Sequence, residues 1–424
     1  MNERNFHVAI IGAGVGGLCL AQGLKKAGIG VSVYERDKTA SSRLQGFRIH
    51  IDPDGSRALH QCLPEDLWKI FDSTGGDFSQ GFTVLSEKLE ELLSMRTEGG
   101  GPVDAIARHR SISRITLRRV LLTGLDDTVH FGKRFLRYEE LPDGRFRLLF
   151  EDGSTEIADV IVGADGVNSA VRKQYLPSAD PVDTGVLAVG GKVPFSDGVM
   201  ALVPHRLLDG PVMVLPPEPC SLFMAIWKRS PQANDALRRL GINEPLEGDE
   251  NYLILGLGGR ADDLGLAHDM SGRALKDALR RSAASWHPNL RKLIEMAEES
   301  EMSANRLRTS RCPAPWPTTR ITLLGDAIHS MTPYRGIGAN IALRDGALLC
   351  TKLVEAQGGD KALTEAIGEY ESSMREYGFA AVDASRKSME QAVGRKTSPG
   401  FQIAKTAMRV VNKVPALKRR LMPA

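Results

Sequence analysis

The residues with the clearest chemical meaning form a glycine-rich stretch near the start of the chain, Gly12-x-Gly14-x-x-Gly17, which is followed by Glu35. The first glycine permits a tight turn, the second lets the backbone approach a pyrophosphate, and the third lets a helix pack closely on a strand. A helix that begins at this turn offers free N–H groups and a partial positive charge to phosphates. Glu35 is expected to accept hydrogen bonds from ribose hydroxyls, so the pattern predicts a dinucleotide site.

The elements around this motif have the layout that such a site requires. Residues 8–11 predict a buried strand, residues 18–26 a helix, and residues 29–34 a second strand that ends at Glu35. Residues 8–24 are also uncharged and mostly apolar, so a signal peptide or a membrane helix is the alternative interpretation. Glycines at turn spacing and an acid-terminated strand argue against both.

Two further glycine- and aspartate-bearing motifs occur later, each directly after an apolar run that predicts one buried strand. They are Gly163-Ala-Asp165-Gly-x-x-Ser169-x-x-Arg172, after residues 157–162, and Gly325-Asp326-x-x-His329 through Pro333 and Gly336-x-Gly338-x-Asn340, after residues 321–324. Side chains that follow parallel strands emerge at the carboxyl edge of a sheet, which is where such sheets bind ligands. A plain turn is the alternative for each motif.

Composition sets limits on the class of protein. The chain has 424 residues, of which 42% are hydrophobic and 25% charged, and its net charge is +3. These values are ordinary for a globular protein of two or three domains, and the charge is too small to predict a nucleic-acid partner. Five scattered cysteines favour reduced thiols in a cytoplasmic protein over a disulfide framework or a zinc site.

The rest of the chain predicts a second layer and a helical end. Residues 180–310 alternate strand-like segments, including 199–203, with Pro and Gly turns and two helices, which predicts a sheet-and-helix layer inserted into the nucleotide domain. Residues 72–104 predict either a strand pair or a helix that covers a pocket. The tail, residues 401–424, carries six Lys or Arg and no acid. It predicts a helix that packs on the body and exposes its charged side, with a membrane-surface helix as the alternative.

The three motifs, in this order, resemble those of the single-component FAD-dependent aromatic hydroxylases of the para-hydroxybenzoate hydroxylase family. They span residues 8 to about 345. The resemblance implies an α/β fold in which a Rossmann-like FAD-binding domain carries an inserted α+β substrate layer. The implied division is an FAD-binding domain of residues 1–75, 105–180 and 311–360, a substrate-binding domain of residues 76–104 and 181–310, and C-terminal helices in 361–424.

The resemblance also implies the cofactor and its contacts. The cofactor would be non-covalent FAD, which is longer than one nucleotide-binding turn can hold, so the first motif would hold the ADP half. The helix after residue 337 would aim its N-terminus at the N1–C2=O edge of the flavin. Arg43 and Arg114 would lie near the cofactor, with a solvated surface position as the alternative for each. Arg36, next to Glu35, could stack on the adenine. The implied cofactor-binding residues are Gly12, Gly14, Gly17, Glu35, Arg36, Arg43, Arg114, Asp165, Asp326, Pro333, Gly336, Gly338, Ala339 and Asn340.

The implied activity is the hydroxylation of an aromatic or polycyclic small molecule. In the family, NAD(P)H reduces FAD, O2 then gives a flavin C4a-hydroperoxide, and no metal takes part. NAD(P)H would be a transient co-substrate because the chain has only one glycine-rich dinucleotide motif. A reductase or dehydrogenase on the same fold, or a non-enzymatic flavin-binding protein, is the alternative. A monomer and a homodimer are both compatible with the sequence.

The sequence gives no clear acid–base residue. Tyr334 and Arg335 are the catalytic candidates, because a guanidinium beside the flavin could bind a substrate carboxylate or phenolate. The alternative places Arg335 in solvent. Single histidines are more often structural, and His329 is expected to support its loop; the other histidines considered are His50, His205 and His268. Residues Met213, Pro216, Phe223, Met224 and Trp227 predict either an apolar substrate pocket or ordinary core.

Overall fold

The computed structural model describes residues 6–40, 42, 48–77, 81–96, 104, 106–228, 235, 238, 239, 241, 251–394, 399–414 and 417. Its strands are β1 (His7–Ile11), β2 (Gly30–Glu35), β3 (Arg48–Ile51), β4 (Gly76–Asp77), β5 (Gly81–Ser86), β6 (Glu91–Arg96), β7 (Arg110–Ser113), β8 (Val129–Phe131), β9 (Phe135–Glu140), β10 (Phe146–Phe150), β11 (Thr155–Ala158), β12 (Val160–Gly163), β13 (Val182–Pro194), β14 (Val212–Leu215), β15 (Cys220–Trp227), β16 (Tyr252–Arg260), β17 (Ser303–Thr309) and β18 (Ile321–Leu323).

The α-helices are α1 (Val15–Lys26), α2 (Pro53–Cys62), α3 (Glu65–Thr74), α4 (Arg114–Leu122), α5 (Ala170–Tyr175), α6 (Asp197–Met200), α7 (Arg206–Asp209), α8 (Ala261–Leu264), α9 (Gly272–Ser282), α10 (Pro288–Met296), α11 (Asp326–His329), α12 (Gly338–Gly358), α13 (Leu363–Val393) and α14 (Pro399–Lys413). Short 3-10 turns lie at Pro177–Ala179, Glu299–Glu301 and Pro333–Arg335. Among the described residues, no helix is long and apolar enough to cross a membrane.

A five-stranded parallel sheet in the order β18-β12-β1-β2-β8 forms the Rossmann-like part of the fold. Apart from His7 at the start of β1, the residues of β1 and β12 are apolar and buried, because parallel strands are covered on both faces. Helices α1 and α12 cross closely at Gly16, where an added Cβ would lie 2.8 Å from the carbonyl oxygen of Ala342. All three motifs follow strands of this one sheet, so their turns meet at its carboxyl edge.

The apolar run at residues 157–162 forms two strands, where the sequence predicts one. β11 belongs to the antiparallel sheet β11-β10-β9, whereas β12 belongs to the parallel sheet. The break is at Asp159, whose N–H donates to the carbonyl of His7 and whose carboxylate accepts from the N–H of His7 at 2.8 Å. A single polar residue therefore moves the chain from one sheet to the other.

A seven-stranded, largely antiparallel sheet in the order β17-β13-β16-β15-β14-β5-β6 forms the second layer. One of its faces, which carries Leu222, Leu255 and Leu257, packs in the same cluster as helices α9 and α10. The pair β5 and β6 joins this sheet, so a strand pair is correct for that part of the 72–104 region. The predicted strand at 199–203 is wrong: α6 lies at its start, and the hydroxyl of Ser196 accepts from the N–H of Val199 at 3.3 Å.

Three smaller features complete the frame. Strands β3, β7 and β4 form an antiparallel sheet beside helix α2. Helix α13 is one continuous helix of 31 residues that contacts both α12 and the turn at Pro333–Arg335. Helix α14 packs on the edge strand β6. The edge of the large sheet is thereby covered, which prevents strand-to-strand association there.

Candidate active site

The first glycine turn has the geometry that a close backbone approach requires. Gly12 has a φ of +109°, and a Cβ there would collide with the carbonyl oxygen of Ala164 in the second turn. Gly14 is exposed, and its nearest neighbour would lie 4.0 Å from an added Cβ, so the space above it is open. Helix α1 has no side-chain cap at Gly14. Its first N–H groups are therefore available to an anion.

Glu35 ties the first turn to the end of β2. One carboxylate oxygen accepts from the N–H of Ala13 at 2.8 Å, and the other accepts from the N–H of Asp37 at 2.9 Å. The side chain is 8% exposed. Each oxygen keeps a further lone pair, so the carboxylate can also accept from a ribose hydroxyl.

The second turn places Asp165 against the first. One of its carboxylate oxygens accepts from the N–H of Ala170 at 2.6 Å, whereas the other is buried and has no hydrogen-bond partner. Burial raises the pKa of Asp165, and the hydrogen bonds oppose that rise. A buried acceptor without a partner costs free energy unless a ligand supplies a donor. Asp165 therefore has a free acceptor next to the Gly12 turn.

Ser169 and Arg172 join the second turn to the third. The Ser169 hydroxyl accepts from the N–H of Arg172 at 2.9 Å and caps α5. The Arg172 guanidinium is 1% exposed and donates to the carbonyls of Ala327 and Val167, each at 2.9 Å, and to Asp180 at 3.0 Å. These two residues hold the loops in place.

Asp326 begins helix α11 at the third turn. Its side chain is exposed, yet the surrounding protein desolvates it and raises its pKa. The charges of His329 and Arg114 oppose that rise, so the structure brings Arg114, at the start of α4, near Asp326. An exposed carboxylate with a raised pKa is typical of the wall of a concave site.

A buried polar network supports this turn from below. Asp345, on α12, is 0% exposed. It accepts from the N–H of Gly325 at 2.8 Å, from Tyr377 at 2.6 Å, and pairs with His329 at 2.6 Å. Burial alone would lower the pKa of His329, but the charge and hydrogen bond of Asp345 raise it above its ordinary value. The expectation that His329 supports its loop agrees with this geometry.

Sequence reasoning missed Asp345, Tyr377 and the buried Glu371 of α13 as parts of this support. The one available signal was an acid within an apolar helical pattern, as at Asp345 in residues 341–349. Their partners lie on other elements, so spacing along the chain could not identify them.

The last motif ends in a turn that presents the start of α12. Gly336 has a φ of +64° and open space around it, and Gly338 begins the helix. The N-cap, Ile337, makes no side-chain cap, so the first N–H groups of α12 face outward without a side-chain acceptor. Pro333 begins the preceding 3-10 turn, and Ala339 is half-buried in the first turn of the helix.

Asn340 serves as a latch between this helix and the smaller sheet. It is 0% exposed. Its amide nitrogen donates to the carbonyl of His50 at 2.9 Å, and its amide oxygen accepts from the N–H of Asp52 at 3.1 Å. Its side chain therefore fixes where α12 starts, and only its backbone is left for a cofactor.

Tyr334 connects the third turn to the large sheet. Its hydroxyl approaches Gly258 so closely that a Cβ there would collide with it, and Ser221 lies beside them. Burial raises the pKa of Tyr334 to about 12. Arg335, in contrast, is exposed. Of the two catalytic candidates, only Tyr334 is held between the two layers.

The face of the large sheet that Tyr334 contacts also carries apolar side chains. Phe223 pairs with Gly256 on one side and with Met213 on the other, and both Phe223 and Gly256 are half-buried. Trp227 packs on this face too. Because side chains alternate along a strand, Met224 points to the opposite face, where it joins the cluster with α9 and α10.

The other residues predicted for the site are placed as follows. Arg36 is exposed just beyond Glu35, and Arg43 lies outside the described residues. His50 on β3 lies 2.8 Å from His109, and burial, together with the neighbouring His109 and Arg48, lowers the pKa of His50 to about 3. His50 is thus neutral at ordinary pH.

Comparison with known proteins identifies the family. A model described as an NAD(P)-binding Rossmann-like domain matches residues 10–73, and one described as an FAD binding domain matches residues 271–385. A 6-hydroxynicotinate 3-monooxygenase from Bordetella bronchiseptica is 30% identical over 353 residues, which cover 83% of each chain. The chain belongs to the FAD-dependent aromatic monooxygenases. The resemblance seen in the three motifs is thus confirmed.

Two further comparisons agree with this membership. A solved structure from Photorhabdus luminescens, provisionally described as an FAD-containing monooxygenase, has a TM-score of 0.81 and 37% identity, covering 92% of this chain and 99% of that one. A dual O-methyltransferase/FAD-dependent monooxygenase from Phaeosphaeria nodorum is 29% identical over 94% of this chain but only 47% of its own length. The chain spans about half the length of such curated relatives.

The residues present fit the FAD of this monooxygenase family. Two helix N-termini without side-chain caps, at Gly14 and Ile337, suit the phosphates and the flavin edge. Asp165 and Asp326, which follow strands β12 and β18, offer carboxylate acceptors to hydroxyl groups. The chemistry of this donor and acceptor set matches a long cofactor with a pyrophosphate and a polyol chain.

Proposed function

We propose that this chain is an NAD(P)H- and FAD-dependent monooxygenase that uses O2 to hydroxylate a planar aromatic or polycyclic small molecule. Membership of the family supports the reaction type. The Rossmann-like match over residues 10–73 supports a dinucleotide at the first turn. A cytoplasmic location is part of the proposal, and it is supported by five cysteines that are all free.

The observation that carries the proposal is the contact of Tyr334 with Gly258. It holds the turn before α12 against the sheet face that carries Phe223 and Gly256. A flavin ring at the N-terminus of α12 would then lie beside an aromatic ring bound on this face. A monooxygenase needs this proximity, because the protein must hold the substrate in the right geometry against the reactive part of the cofactor.

The chain's residues would divide the cofactor between them. The turn from Gly12 to Gly17 and Glu35 would hold the ADP half, with Arg36 and Arg43 nearby. Asp165, Asp326 and Arg114 would hold the middle. The backbone of residues 333–340 would meet the flavin, and the first N–H groups of α12 would stabilise negative charge on its N1–C2=O edge. FAD, when bound, supplies the redox chemistry and the activation of O2.

Arg335 would take part at the substrate end. Its exposed guanidinium follows Tyr334 in the turn, so it can reach an acidic group on a bound aromatic compound or on the nicotinamide cofactor. Arg335→Ala is expected to raise KM for an acidic substrate about tenfold. Unchanged steady-state constants and an unchanged rate of flavin reduction would remove Arg335 from the site.

The proposed function is tested with the FAD-loaded protein and a panel of aromatic compounds. The panel includes 6-hydroxynicotinate, the compound in the name of the Bordetella relative, with simple phenolic acids and polycyclic phenols. A substrate is expected to stimulate NAD(P)H oxidation, and product formed under ¹⁸O₂ should gain one labelled oxygen. A reductase would give a product without the label, and a flavin-binding protein without activity would show no substrate-dependent NAD(P)H oxidation.

A further inference from the structure

The outward side of the C-terminal helix is apolar, contrary to the expectation of a charged outer face. Three of the large apolar side chains that the described structure exposes lie on or just after α14: Ile403 is 68% exposed, Val410 49% and Val414 42%. Ala407 is exposed as well. With spacings of four, three and four residues, these positions share one face of the helix. We call Ile403, Ala407, Val410 and Val414 the outer stripe.

Two charged side chains of the helix make ion pairs on its inward side instead. Lys405 is 5% exposed and pairs with Glu87 at 3.1 Å, and Arg409 pairs with Glu90 at 2.7 Å. Asn412 accepts from the N–H of a strand β6 residue at 3.0 Å. The inward apolar residues Phe401, Met408 and Val411 pack on the cluster beneath. The helix is therefore firmly attached to the large sheet, and the outer stripe is not needed for that attachment.

The charge of the chain end complements an anionic surface. Residues 401–424 contain six Lys or Arg and no acid, whereas the preceding 400 residues carry 49 basic and 52 acidic residues, a net charge of −3. Lys405 and Arg409 are paired inward, whereas Lys413 is exposed at the end of the helix. In the sequence, three more bases, Lys418-Arg419-Arg420, follow soon after the stripe.

We propose that the outer stripe, with Lys413 beside it, docks on the surface of an anionic phospholipid bilayer. Apolar side chains on one helix face insert into the headgroup boundary, and nearby Lys and Arg attract anionic lipid. A second copy of the chain fits less well, because a two-fold contact through this stripe would bring two basic segments together. The helix lies on the membrane and does not cross it.

Vesicle sedimentation of the full-length, FAD-loaded protein tests this proposal. Wild-type protein is expected to sediment with vesicles of phosphatidylcholine and phosphatidylglycerol, to bind less as salt is raised, and to bind vesicles of phosphatidylcholine alone about tenfold more weakly. The double variant Ile403→Ser/Val410→Ser is expected to lose about tenfold in affinity for the anionic vesicles. Flavin absorbance and the thermal midpoint check that it is folded.

The matched control replaces two exposed apolar residues elsewhere, Leu208 and Ile157, which are 46% and 45% exposed. Leu208→Ser/Ile157→Ser is expected to bind the anionic vesicles as wild type does. A second variant, Lys413→Gln/Lys418→Gln/Arg419→Gln/Arg420→Gln, keeps the stripe and should lose the preference for anionic vesicles. Absence of vesicle binding, equal binding by the stripe variant, or a stripe-dependent dimer in sedimentation velocity would each overturn the proposal.

Discussion

At the scale of single residues, two glycines of the first turn make separable contributions. A side chain at Gly12 meets the Ala164 carbonyl and a positive φ, whereas one at Gly14 meets only open space. Gly12→Ala is expected to destabilise the protein without FAD by about 2 kcal/mol or more. Gly14→Ala is expected to keep that stability and to weaken FAD binding about tenfold, because the methyl group occupies the place of a phosphate.

Thermal melting without FAD and titration of flavin fluorescence measure these two effects. Gly28→Ala supplies the control, since Gly28 has a φ of +73° but no atom near its Cβ position, so it carries strain without a collision. Wild-type FAD affinity in Gly14→Ala would show that the first turn does not hold the pyrophosphate.

Glu371 gives a pH dependence of stability that can be assigned to one group. It is 3% exposed and accepts from Thr322 at 2.9 Å and from Thr318 at 3.0 Å, yet burial raises its pKa from 4.5 to about 7. The pKa of Glu371 is higher in the folded protein than in the unfolded chain. Its contribution to the free energy of unfolding is therefore fully present below pH 4.5 and is lost as the pH rises through about 7.

In wild type, ionisation of Glu371 is expected to lower the free energy of unfolding by up to about 3 kcal/mol between pH 5 and pH 8. Glu371→Gln cannot ionise and should not show this decrease. Melting temperatures of variant and wild type across this range measure it, and the two curves should diverge as the pH rises. Glu369→Gln is the control, because Glu369 pairs with Lys352 and Lys361, which lower its pKa. Parallel curves for Glu371→Gln and wild type would contradict the assignment.

Single-residue prediction from the sequence succeeded where one local rule decides the conformation. The positive φ of Gly12 and the position of Glu35 beside the first turn follow from the strand–turn–helix pattern. Glu371 and the pair His329–Asp345 depend on helices that reach back under strand β18. No spacing along the chain reports such contacts, because they are made by elements far apart in sequence.

At the scale of elements, the Asn340 latch sets where helix α12 begins. Asn340→Ala leaves the carbonyl of His50 and the N–H of Asp52, which belong to half-buried residues, without their partner. The expected loss of stability is about 2–4 kcal/mol. Thermal melting measures the loss, and Asn168→Ala, which removes an exposed hydrogen bond to Arg308, is expected to change little. Equal melting of both variants would argue against a latch.

The contact between Tyr334 and the large sheet is a second element-scale test. Gly258→Ala is expected to displace the turn at Pro333–Arg335, because the new methyl group collides with the Tyr334 hydroxyl. If this turn presents the flavin edge, less product should form per NAD(P)H consumed, since water gains access to the reaction. Gly191→Ala serves as the control: its Cβ would make an ordinary 3.4 Å contact with Met302 on the other face of the sheet. Equal coupling in both variants would contradict this role.

Prediction of helices and strands was good for long periodic segments. It was poor where a helix cap or a division between two strands determines the structure. The apolar run at residues 199–203 looks like a strand, but Ser196 caps a helical turn at its start. The run at residues 157–162 looks continuous, but Asp159 divides it between two sheets. In both cases one polar side chain outweighs the apolar pattern, since its hydrogen bond fixes the local backbone.

At the scale of the whole molecule, the site combines turns from the beginning, middle and end of the chain. The parallel order β18-β12-β1-β2-β8 places the turns after β1, β12 and β18 side by side. The sequence could predict that these turns meet at one edge, because parallel strands share a carboxyl end. It could not predict how closely the third turn approaches the seven-stranded sheet, because that depends on the contact between Tyr334 and Gly258.

This arrangement predicts that the two halves of the cofactor can be separated experimentally. FAD at a hundred times its dissociation constant is expected to add about 2.7 kcal/mol of stability, or on the order of 3 °C in the melting temperature. ADP at the same concentration should give a smaller shift, because it reaches only the first turn. Gly14→Ala should reduce the shifts caused by both ligands.

Asp326→Ala should reduce only the FAD shift, because Asp326 follows β18 and lies near Arg114, away from the ADP end. Melting curves with increasing FAD or ADP measure the four combinations of variant and ligand. Equal reduction of the FAD and ADP shifts in Asp326→Ala would mean that Asp326 acts through the fold of the whole edge. Selective loss of the FAD shift would place the polyol chain at the third turn, and so the flavin ring at the start of α12, beside the aromatic wall of the large sheet.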